Sequence, residues 1–248
     1  MMQRPTLHEV FTASLATASP ATQGNTAWVA AARVGDWMPW LEQACALLSD
    51  AERSRVARKR RPQDREELVL CYALHRLLLA AWSGEDAAGL AVGRDADGRP
   101  LSGVDGVGTS LSHTRGAFAL AIAGEGAVGI DIEAADNASG LEEIEGQVCH
   151  PLELQRLAGL VGADRHARLL QTWVRKEAYL KAAGVGLDWE MAGFAADPGC
   201  PLPLVPADPA GACVCVQELD LLQPTHLLAV AVAPDSKPWV VHLDPLTA

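Results

Sequence analysis

The sequence predicts an α+β protein made of two similar lobes. The first observation is the order of its segments: strand-like apolar runs and helical periods follow one another, and that order returns in the second half. The second is length, since 248 residues are enough for two modest halves that each bury a core. No repeat of individual residues relates the halves. The expected boundaries, 26–125 for an N-terminal lobe and 126–248 for a C-terminal lobe, therefore follow from the order of the segments.

The N-terminal half is expected to begin after a flexible tail over residues 1–25, which is rich in Ala, Thr and Ser. A short apolar run from Thr26 to Val34 is typical of a first strand. Ser49 has Glu52 three places on, the capping-box spacing that starts a helix. Apolar residues then recur at helical spacing over 64–82, which predicts a long helix there.

The second half is expected to begin with a hairpin and to end in strands. Large and small residues alternate over 118–123, residues 127–133 form another strand-like run, and the glycines between them favour a turn. A helical region is predicted over 141–183, and a proline-rich loop over 198–212. Three further strands are predicted at 214–216, 227–233 and 239–243.

Composition and charge exclude several classes of protein. The formal net charge is −11 and the pI is near 5.0, whereas a general nucleic-acid binder needs a basic surface. The six cysteines lack the paired spacing of a zinc finger, so a structural zinc is not expected. Residues 1–25 lack the apolar core of a signal peptide, and the longest apolar stretch, 68–82, is too short to cross a bilayer. We therefore expect a cytoplasmic protein that binds neither nucleic acid nor membrane.

Two carboxylates share one face of the strand that follows Val128. Because strand side chains alternate, the apolar residues take one face, and Gly129, Asp131 and Glu133 take the other. The Cα atoms of the two acids would lie about 7 Å apart, a separation that suits one Mg²⁺ ion completed by water and substrate phosphates. The glycine beside them would leave room for a ligand. The alternative is an ordinary strand whose polar face meets water.

A helix near residue 177 carries an acid and a base on one face. Trp173, Glu177 and Lys181 are spaced i, i+4, i+8, and Lys176 flanks that face. One interpretation gives Glu177 a metal-ligand or general-base role and assigns Lys181 to a phosphate. The other is a surface stripe held by a Glu–Lys pair.

The segment around Ser112 and His113 is predicted to be a turn before the hairpin. A histidine, a hydroxyl and the nearby Arg115 could bind a phosphate there, or they could be surface polar residues of an ordinary turn. Adjacency alone does not make a Ser-His pair catalytic, and no GxSxG motif is present, so serine hydrolysis is poorly supported.

Together these blocks resemble the Sfp-type (surfactin-type) 4′-phosphopantetheinyl transferases in order and spacing. Residues 129–133 match the family's GxDxE block, and residues 173–187 match its W-x-x-K-E-(A/S)-x-x-K-x-x-G-x-G-L block without a gap. Ser112-His113 matches its S-H block and Gly98-Arg99-Pro100 its G-(K/R)-P block. The resemblance runs from about residue 28 to residue 187, and it is the combination of the blocks at this separation that is specific.

The resemblance implies a fold of two pseudo-symmetric α+β lobes with coenzyme A in the cleft between them. It implies Mg²⁺ held by Asp131, Glu133 and Glu177, with Glu177 and Lys181 as the catalytic residues. It gives Glu153 a supporting role only. The residues expected to contact coenzyme A are Arg58, Arg61, Arg99, Ser112, His113, Lys176 and Lys181.

The implied reaction moves the 4′-phosphopantetheine arm of coenzyme A onto a serine of an apo carrier protein and releases 3′,5′-adenosine bisphosphate. The carrier would be an acyl, peptidyl or aryl carrier domain, and one chain is expected to act as a monomer. One alternative is a catalytically weak relative that binds a carrier or coenzyme A without transfer. The other is a magnesium-dependent hydrolase or nucleotidyl transferase, which would have no use for the helix with Trp173 and Glu177.

Overall fold

Two four-stranded sheets, each packed against one 22-residue helix, form the fold. The computed structural model describes residues 4–17, 27–96, 98–124, 126–186, 189–205 and 211–246. In both halves a run of helices is followed by a run of strands, which confirms the predicted α+β class. None of the helices in these ranges is long and apolar enough to cross a membrane.

The N-terminal lobe contains the first sheet and most of the short helices. Its elements are α1 (Leu7–Ala16), β1 (Ala27–Arg33), α2 (Val34–Trp37), α3 (Leu41–Leu47), α4 (Asp50–Ala57), α5 (Pro62–Ser83), β2 (Gly93–Arg94), β3 (Pro100–Leu101), β4 (Gly108–Thr114) and β5 (Ala117–Ala123). Both ends of α5 have residues that favour those positions, Pro62 in its first turn and Gly84 after it in the left-handed region at φ 77°.

The C-terminal lobe contains the second sheet. Its elements are β6 (Gly129–Ala134), α6 (Glu145–Val148), α7 (Pro151–Leu157), α8 (Gly162–Ala183), β7 (Pro201–Pro203), β8 (Cys213–Glu218) and β9 (His226–Val232); β10 (Trp239–His242) follows. The strand orders are β10-β1-β5-β4 and β6-β9-β8-β7. Helix α8, like α5, ends at a glycine in the left-handed region, Gly184 at φ 72°.

The predicted flexible tail over residues 1–25 is wrong where the structure describes it. Residues 7–16 form α1, which starts with a capping box between Thr6 and Glu9. Leu7 and Phe11 are almost fully buried in the N-terminal core, because α1 presents one apolar face to it. Residues 1–3 and 18–25 of that predicted tail lie outside the described ranges.

The predicted lobe boundary is wrong at the C-terminus. Strand β10 leaves the C-terminal lobe and pairs in parallel with β1, with Trp28 opposite Trp239 and Ala31 opposite His242. The Trp37 indole also donates to the Leu243 carbonyl at 3.0 Å. The last described residues therefore complete the first sheet, which a linear division at residue 126 could not show.

The predicted hairpin between the strands at 118–123 and 127–133 is also wrong. Strand β5 pairs with β1 and β4, while β6 pairs with β9 in the other sheet. The apolar face of β6, with Ile130 and Ile132, packs instead on the small side chains of β1 and β5, such as Ala119 and Ala121. The two lobes are thus joined by a closely packed layer of alanine against larger aliphatic residues.

The predicted capping box at the start of α4 is confirmed. Ser49 N–H donates to Glu52 Oε2 at 2.8 Å, and Glu52 N–H donates to Ser49 Oγ at 3.3 Å. The same carboxylate receives the guanidinium of Arg76 from α5 at 2.8 Å, with both side chains buried. The capping residue therefore also fixes α4, with its basic end, onto α5.

Candidate active site at the seam between the lobes

The candidate site lies where the two sheets meet edge to edge. Strand β4 is the end strand of the first sheet and β6 is the end strand of the second, and the two lie side by side. The Ile130 N–H of β6 donates to Ser110 Oγ of β4 at 3.1 Å, so a side chain supplies a partner that a neighbouring strand would otherwise supply. The segment around Ser112 and His113 belongs to β4, which corrects the predicted turn.

Gly129 brings β6 into close contact with α8. A Cβ atom at residue 129 would overlap the Ala178 carbonyl and the Ala182 amide of that helix. The space beside this glycine is therefore filled by the helix backbone, and the predicted room for a ligand there is wrong. The contact has a functional consequence, because it places Asp131 of β6 next to Glu177 and Lys181 of α8.

Asp131 is buried, with 4% of its surface exposed, and one of its oxygens is held from two sides. Lys181 Nζ donates to Asp131 Oδ1 at 2.5 Å, and Ser112 Oγ donates to the same oxygen at 2.8 Å. Lys181 Nζ also lies 2.9 Å from Ser112 Oγ. The three groups form a triangle that joins β4, β6 and α8.

Glu133 lies two residues further along the same face of β6 and is half-buried. Its Oε2 atom accepts from Thr114 Oγ1 of β4 at 3.0 Å and from Asn137 Nδ2 at 2.7 Å. Both predicted strand carboxylates are therefore anchored through one oxygen each by a hydroxyl of β4.

Glu177 completes the group of acids. Burial raises the pKa of Glu177 to about 7, and the negative charges of Asp131 and Glu133 add to the shift while Lys181 opposes it. A carboxyl group with this pKa can exchange a proton near neutral pH, as a general base must.

The carboxylates provide free oxygens for a cation. Among the residues that the structure describes, Asp131 Oδ2 and Glu177 Oε1 are buried without a hydrogen-bond partner. Within the same ranges, no three acidic, histidine or cysteine side chains gather closely enough to form a complete metal cage. Mg²⁺ does not require one, because it is usually held by one or two carboxylates and keeps water or phosphate as its other ligands. The donor set therefore fits this ion.

A cavity of about 450 Å³ beside the acids is lined by five cationic side chains. These are Arg55, Arg58, Lys59, Arg94 and Lys181. Tyr72, Ser112 and His113 also line it, and Arg94 lies over the Tyr72 ring at 5.9 Å. On a protein with a net charge of −11, this local excess of positive charge favours an anionic ligand such as a phosphate.

A second cavity, of about 620 Å³, continues from the first through Arg94 and Lys181, which line both. Arg99 lies in its wall, against the glycine that ends α8. A Cβ atom at Gly184 would overlap the Arg99 guanidinium, so the glycine is needed there for space as well as for its positive φ. Arg99 thereby links the loop of the N-terminal lobe to the end of α8.

His113 lines the cationic cavity. Burial lowers its pKa, and the nearby charges of Lys59, Lys181 and Arg94 lower it further, while Asp64 opposes them. Because these cations repel one another, binding of a negatively charged ligand in the cavity is favoured.

Two predicted coenzyme contacts lie elsewhere. Lys176 is fully buried in the C-terminal lobe, where its Nζ atom pairs with Glu153 at 2.8 Å and donates to the Met191 and Phe194 carbonyls. It is one residue before Glu177 and so leaves α8 on a different side, which makes its predicted contact with coenzyme A wrong. Arg61 is exposed at the start of α5, outside the lining of both cavities in the described part of the chain.

Sequence reasoning did not select several residues of the cationic cavity. Arg55 lies in α4 and Lys59 lies two residues after its end; both belong to the basic stretch 53–61, from which only Arg58 and Arg61 were predicted as contacts. Tyr72 was part of the apolar pattern of α5. Arg94 lies in the two-residue strand β2, and no sequence signal pointed to it.

Several buried carboxylates beside a cavity lined by cations are typical of sites that bind phosphorylated ligands. Residues 127–230 match the family described as the 4′-phosphopantetheinyl transferase superfamily. This segment includes Asp131, Glu133, Glu177 and Lys181.

Two relatives agree with this assignment. A 4′-phosphopantetheinyl transferase of Nostoc sp. is 28% identical over 151 residues, which are 59% of this chain and 64% of the relative. A phosphopantetheinyl transferase of Thraustochytrium sp. is 29% identical over 225 residues, 83% of this chain and 77% of the relative. The chain thus matches less than two thirds of the Nostoc protein. The resemblance noted from the sequence motifs is confirmed at the level of the superfamily.

Proposed function

We propose that this protein is an Sfp-type 4′-phosphopantetheinyl transferase. It transfers the phosphopantetheine arm of coenzyme A to a serine of an apo carrier protein, in a reaction that depends on Mg²⁺. The proposal rests on the contact between the cationic cavity and the acids. Lys181 lines the cavity, and its Nζ atom is bonded to Asp131 Oδ1 at 2.5 Å. A ligand with several phosphates can occupy the cavity and still reach the acids.

The cationic cavity and its neighbour fit the two parts of such a ligand. Arg58, Lys59 and His113 face the space in which phosphate oxygens would be neutralised. The second cavity, with Arg99 at its wall and the end of α8 below it, is large enough for a further part of the coenzyme.

Asp131, Glu133 and Glu177 would hold the cation between them, with no more than two of them as direct ligands. When bound, Mg²⁺ neutralises and orients the pyrophosphate oxygens. The two buried oxygens without a partner, Asp131 Oδ2 and Glu177 Oε1, support this assignment.

The chain's own residues act on the proton and on the leaving group. Glu177 accepts the proton of the carrier serine as the serine oxygen bonds to the phosphorus that bears the pantetheine arm. The bond between that phosphorus and the oxygen of the departing phosphate breaks, and 3′,5′-adenosine bisphosphate leaves. Lys181 balances the charge that gathers on the departing group.

The partners follow from the same proposal. The acceptor is an acyl, peptidyl or aryl carrier domain, and the place of reaction is the cytoplasm. One chain provides both the cationic cavity and the acids, so a monomer is sufficient. Gel filtration together with activity measured on dilution tests this, because a steep loss of specific activity would oppose it.

The test is intact-protein mass spectrometry of an apo carrier protein incubated with the full chain, coenzyme A and Mg²⁺. We expect a mass gain of one phosphopantetheine, located on the carrier serine by peptide mapping and abolished by EDTA. Glu177→Gln and Asp131→Asn should lose the transfer. Glu143→Gln, the same type of change at an exposed acid, should retain it.

Two results would contradict this proposal. If the folded protein binds coenzyme A but modifies none of the three carrier types, the non-catalytic alternative replaces this proposal. If Glu177→Gln transfers at the rate of the unaltered chain, Glu177 is not the general base.

A further inference from the structure

Three hydroxyl side chains on one face of β4 point to the strand that carries the acids. Ser110, Ser112 and Thr114 alternate along β4 and are all buried, whereas Leu111 and His113 between them are half-buried. Their partners follow the same order along β6. Ser110 accepts from the Ile130 backbone, and Ser112 and Thr114 donate to the next two carboxylates.

The single proton of each hydroxyl is committed to a carboxylate. Ser112 accepts from the Lys181 ammonium at 2.9 Å, which can only donate, and gives its own proton to Asp131 at 2.8 Å. Thr114 accepts from the Asn137 amide at 3.3 Å and gives its proton to Glu133 at 3.0 Å. Neither hydroxyl therefore has a proton to offer to a ligand phosphate.

Each bond fixes one oxygen of a carboxylate and leaves the other oxygen available. Asp131 is held at Oδ1, and its Oδ2 atom is the buried oxygen without a partner among the described residues. Glu133 is held at Oε2, by Thr114 and by the exposed Asn137 at 2.7 Å. Without these bonds, mutual repulsion of the acids would favour side-chain rotations that turn them apart.

We propose that Ser112 and Thr114 are positioning residues that hold Asp131 and Glu133 in the orientation that binds a divalent cation. The inference rests on the proposed function and deepens it, because it assigns Ser112 to the carboxylates and not to the coenzyme. The carboxylates come from the C-terminal lobe, but their orientation is set by a strand of the N-terminal lobe. A cation site at this seam therefore requires both lobes.

The experiment measures binding of Mn²⁺ alone to the full chain by electron paramagnetic resonance, without carrier or coenzyme. Ser112→Ala and Thr114→Val should weaken binding by about 10–100-fold, the usual effect of removing a group that orients a metal ligand. Thr114→Ser, which restores the hydroxyl, should return binding to within a few-fold of the unaltered chain. Thr172→Val is the matched control, since its buried hydroxyl bonds the Arg168 carbonyl within α8.

A variant at an exposed position provides a second test that does not alter a buried side chain. Asn137→Ala removes the second donor to Glu133 Oε2 from an exposed position and should also weaken Mn²⁺ binding. Urea unfolding of every variant checks that the folded fraction is the same at the temperature of the binding measurement.

The outcomes separate this inference from the proposed function. If folded Ser112→Ala and Thr114→Val bind Mn²⁺ as tightly as the unaltered chain, the positioning role is overturned while carrier modification still supports transfer. If Ser112→Ala loses affinity for coenzyme A in isothermal titration but retains Mn²⁺ binding, Ser112 is a coenzyme contact and the inference is wrong. If the unaltered chain neither binds Mn²⁺ nor modifies a carrier, the proposed function fails with it.

Discussion

Replacement of Lys176 by methionine should destabilise the fold and leave the proposed coenzyme site intact. The ammonium is fully buried, paired with Glu153 at 2.8 Å, and bonded to the Met191 and Phe194 carbonyls at 2.7 and 2.5 Å. Burial lowers the pKa of Lys176, and Glu153 opposes this shift by favouring the charged form.

The expected cost follows from what the substitution leaves behind. Methionine can fill most of the volume of the lysine chain, so little cavity should form. Glu153 keeps its bonds from the His150 and Ala196 backbone amides, but its charge is buried without a cation. Breaking a buried ion pair in this way costs about 3–5 kcal/mol. At about 2–4 °C per kcal/mol for a chain of this size, Tm should fall by about 6–20 °C.

The assay is urea unfolding followed by circular dichroism, with coenzyme A binding measured by isothermal titration on the folded protein. The double variant Glu153→Gln/Lys176→Met removes both charges, so it should recover at least half of the lost free energy of unfolding. Coenzyme affinity should stay within about twofold of the unaltered chain, a difference of under 0.5 kcal/mol. A tenfold loss of coenzyme affinity with an unchanged unfolding midpoint would refute this reasoning and restore Lys176 to the site.

Three other variants test neighbouring features. Gly129→Ala should cost about 1–3 kcal/mol of unfolding free energy and most of the transfer activity, because β6 must move away from α8. Gly146→Ala, which has open space around the added carbon, should change neither stability nor activity. Arg94→Gln should weaken coenzyme A binding by about 1.5–3 kcal/mol in isothermal titration, since the arginine lines both cavities. Burial lowers the pKa of His75 to about 3, below its unfolded value, so its contribution to stability is complete above about pH 6.5 and is lost as the pH falls. Between about pH 7 and about pH 5.5, the unaltered chain should lose about 1 kcal/mol of unfolding free energy that His75→Gln does not lose, measured by urea unfolding. An unchanged pH slope would contradict this.

Local patterns predicted the helices and the acids of the site because both depend on spacing along the chain. The capping box fixed the start of α4, and the long helix predicted over 64–82 lies within α5. Alternation on β6 correctly placed Asp131 and Glu133 on one face, toward β4. Their grouping with Glu177 was implied only by the resemblance to the family.

Features that depend on contacts between distant segments could not be predicted in this way. Two adjacent apolar runs favoured a hairpin, but the apolar face of β6 is buried against β5, so the two strands stack and do not pair. Lys176 is next to Glu177 in the sequence, but neighbouring residues of a helix point in different directions. The sequence did not indicate that the Lys176 side chain would be buried in the core. Arg94 reaches both cavities only because the short strand β2 brings it over Tyr72.

The distribution of charge between the lobes limits what the family match alone can establish. Residues 127–230 include the three acids and Lys181, and therefore the part of the site that would bind the cation. Four of the five cations of the first cavity, Arg55, Arg58, Lys59 and Arg94, lie outside that segment. The hydroxyls of β4 that hold Asp131 and Glu133 lie outside it as well. A segment limited to the matched residues would keep the acids but lose both their anchors and the positive charge for a phosphorylated ligand. On the proposed function, most of the positive charge that would bind the coenzyme therefore lies in the N-terminal lobe, outside the matched segment.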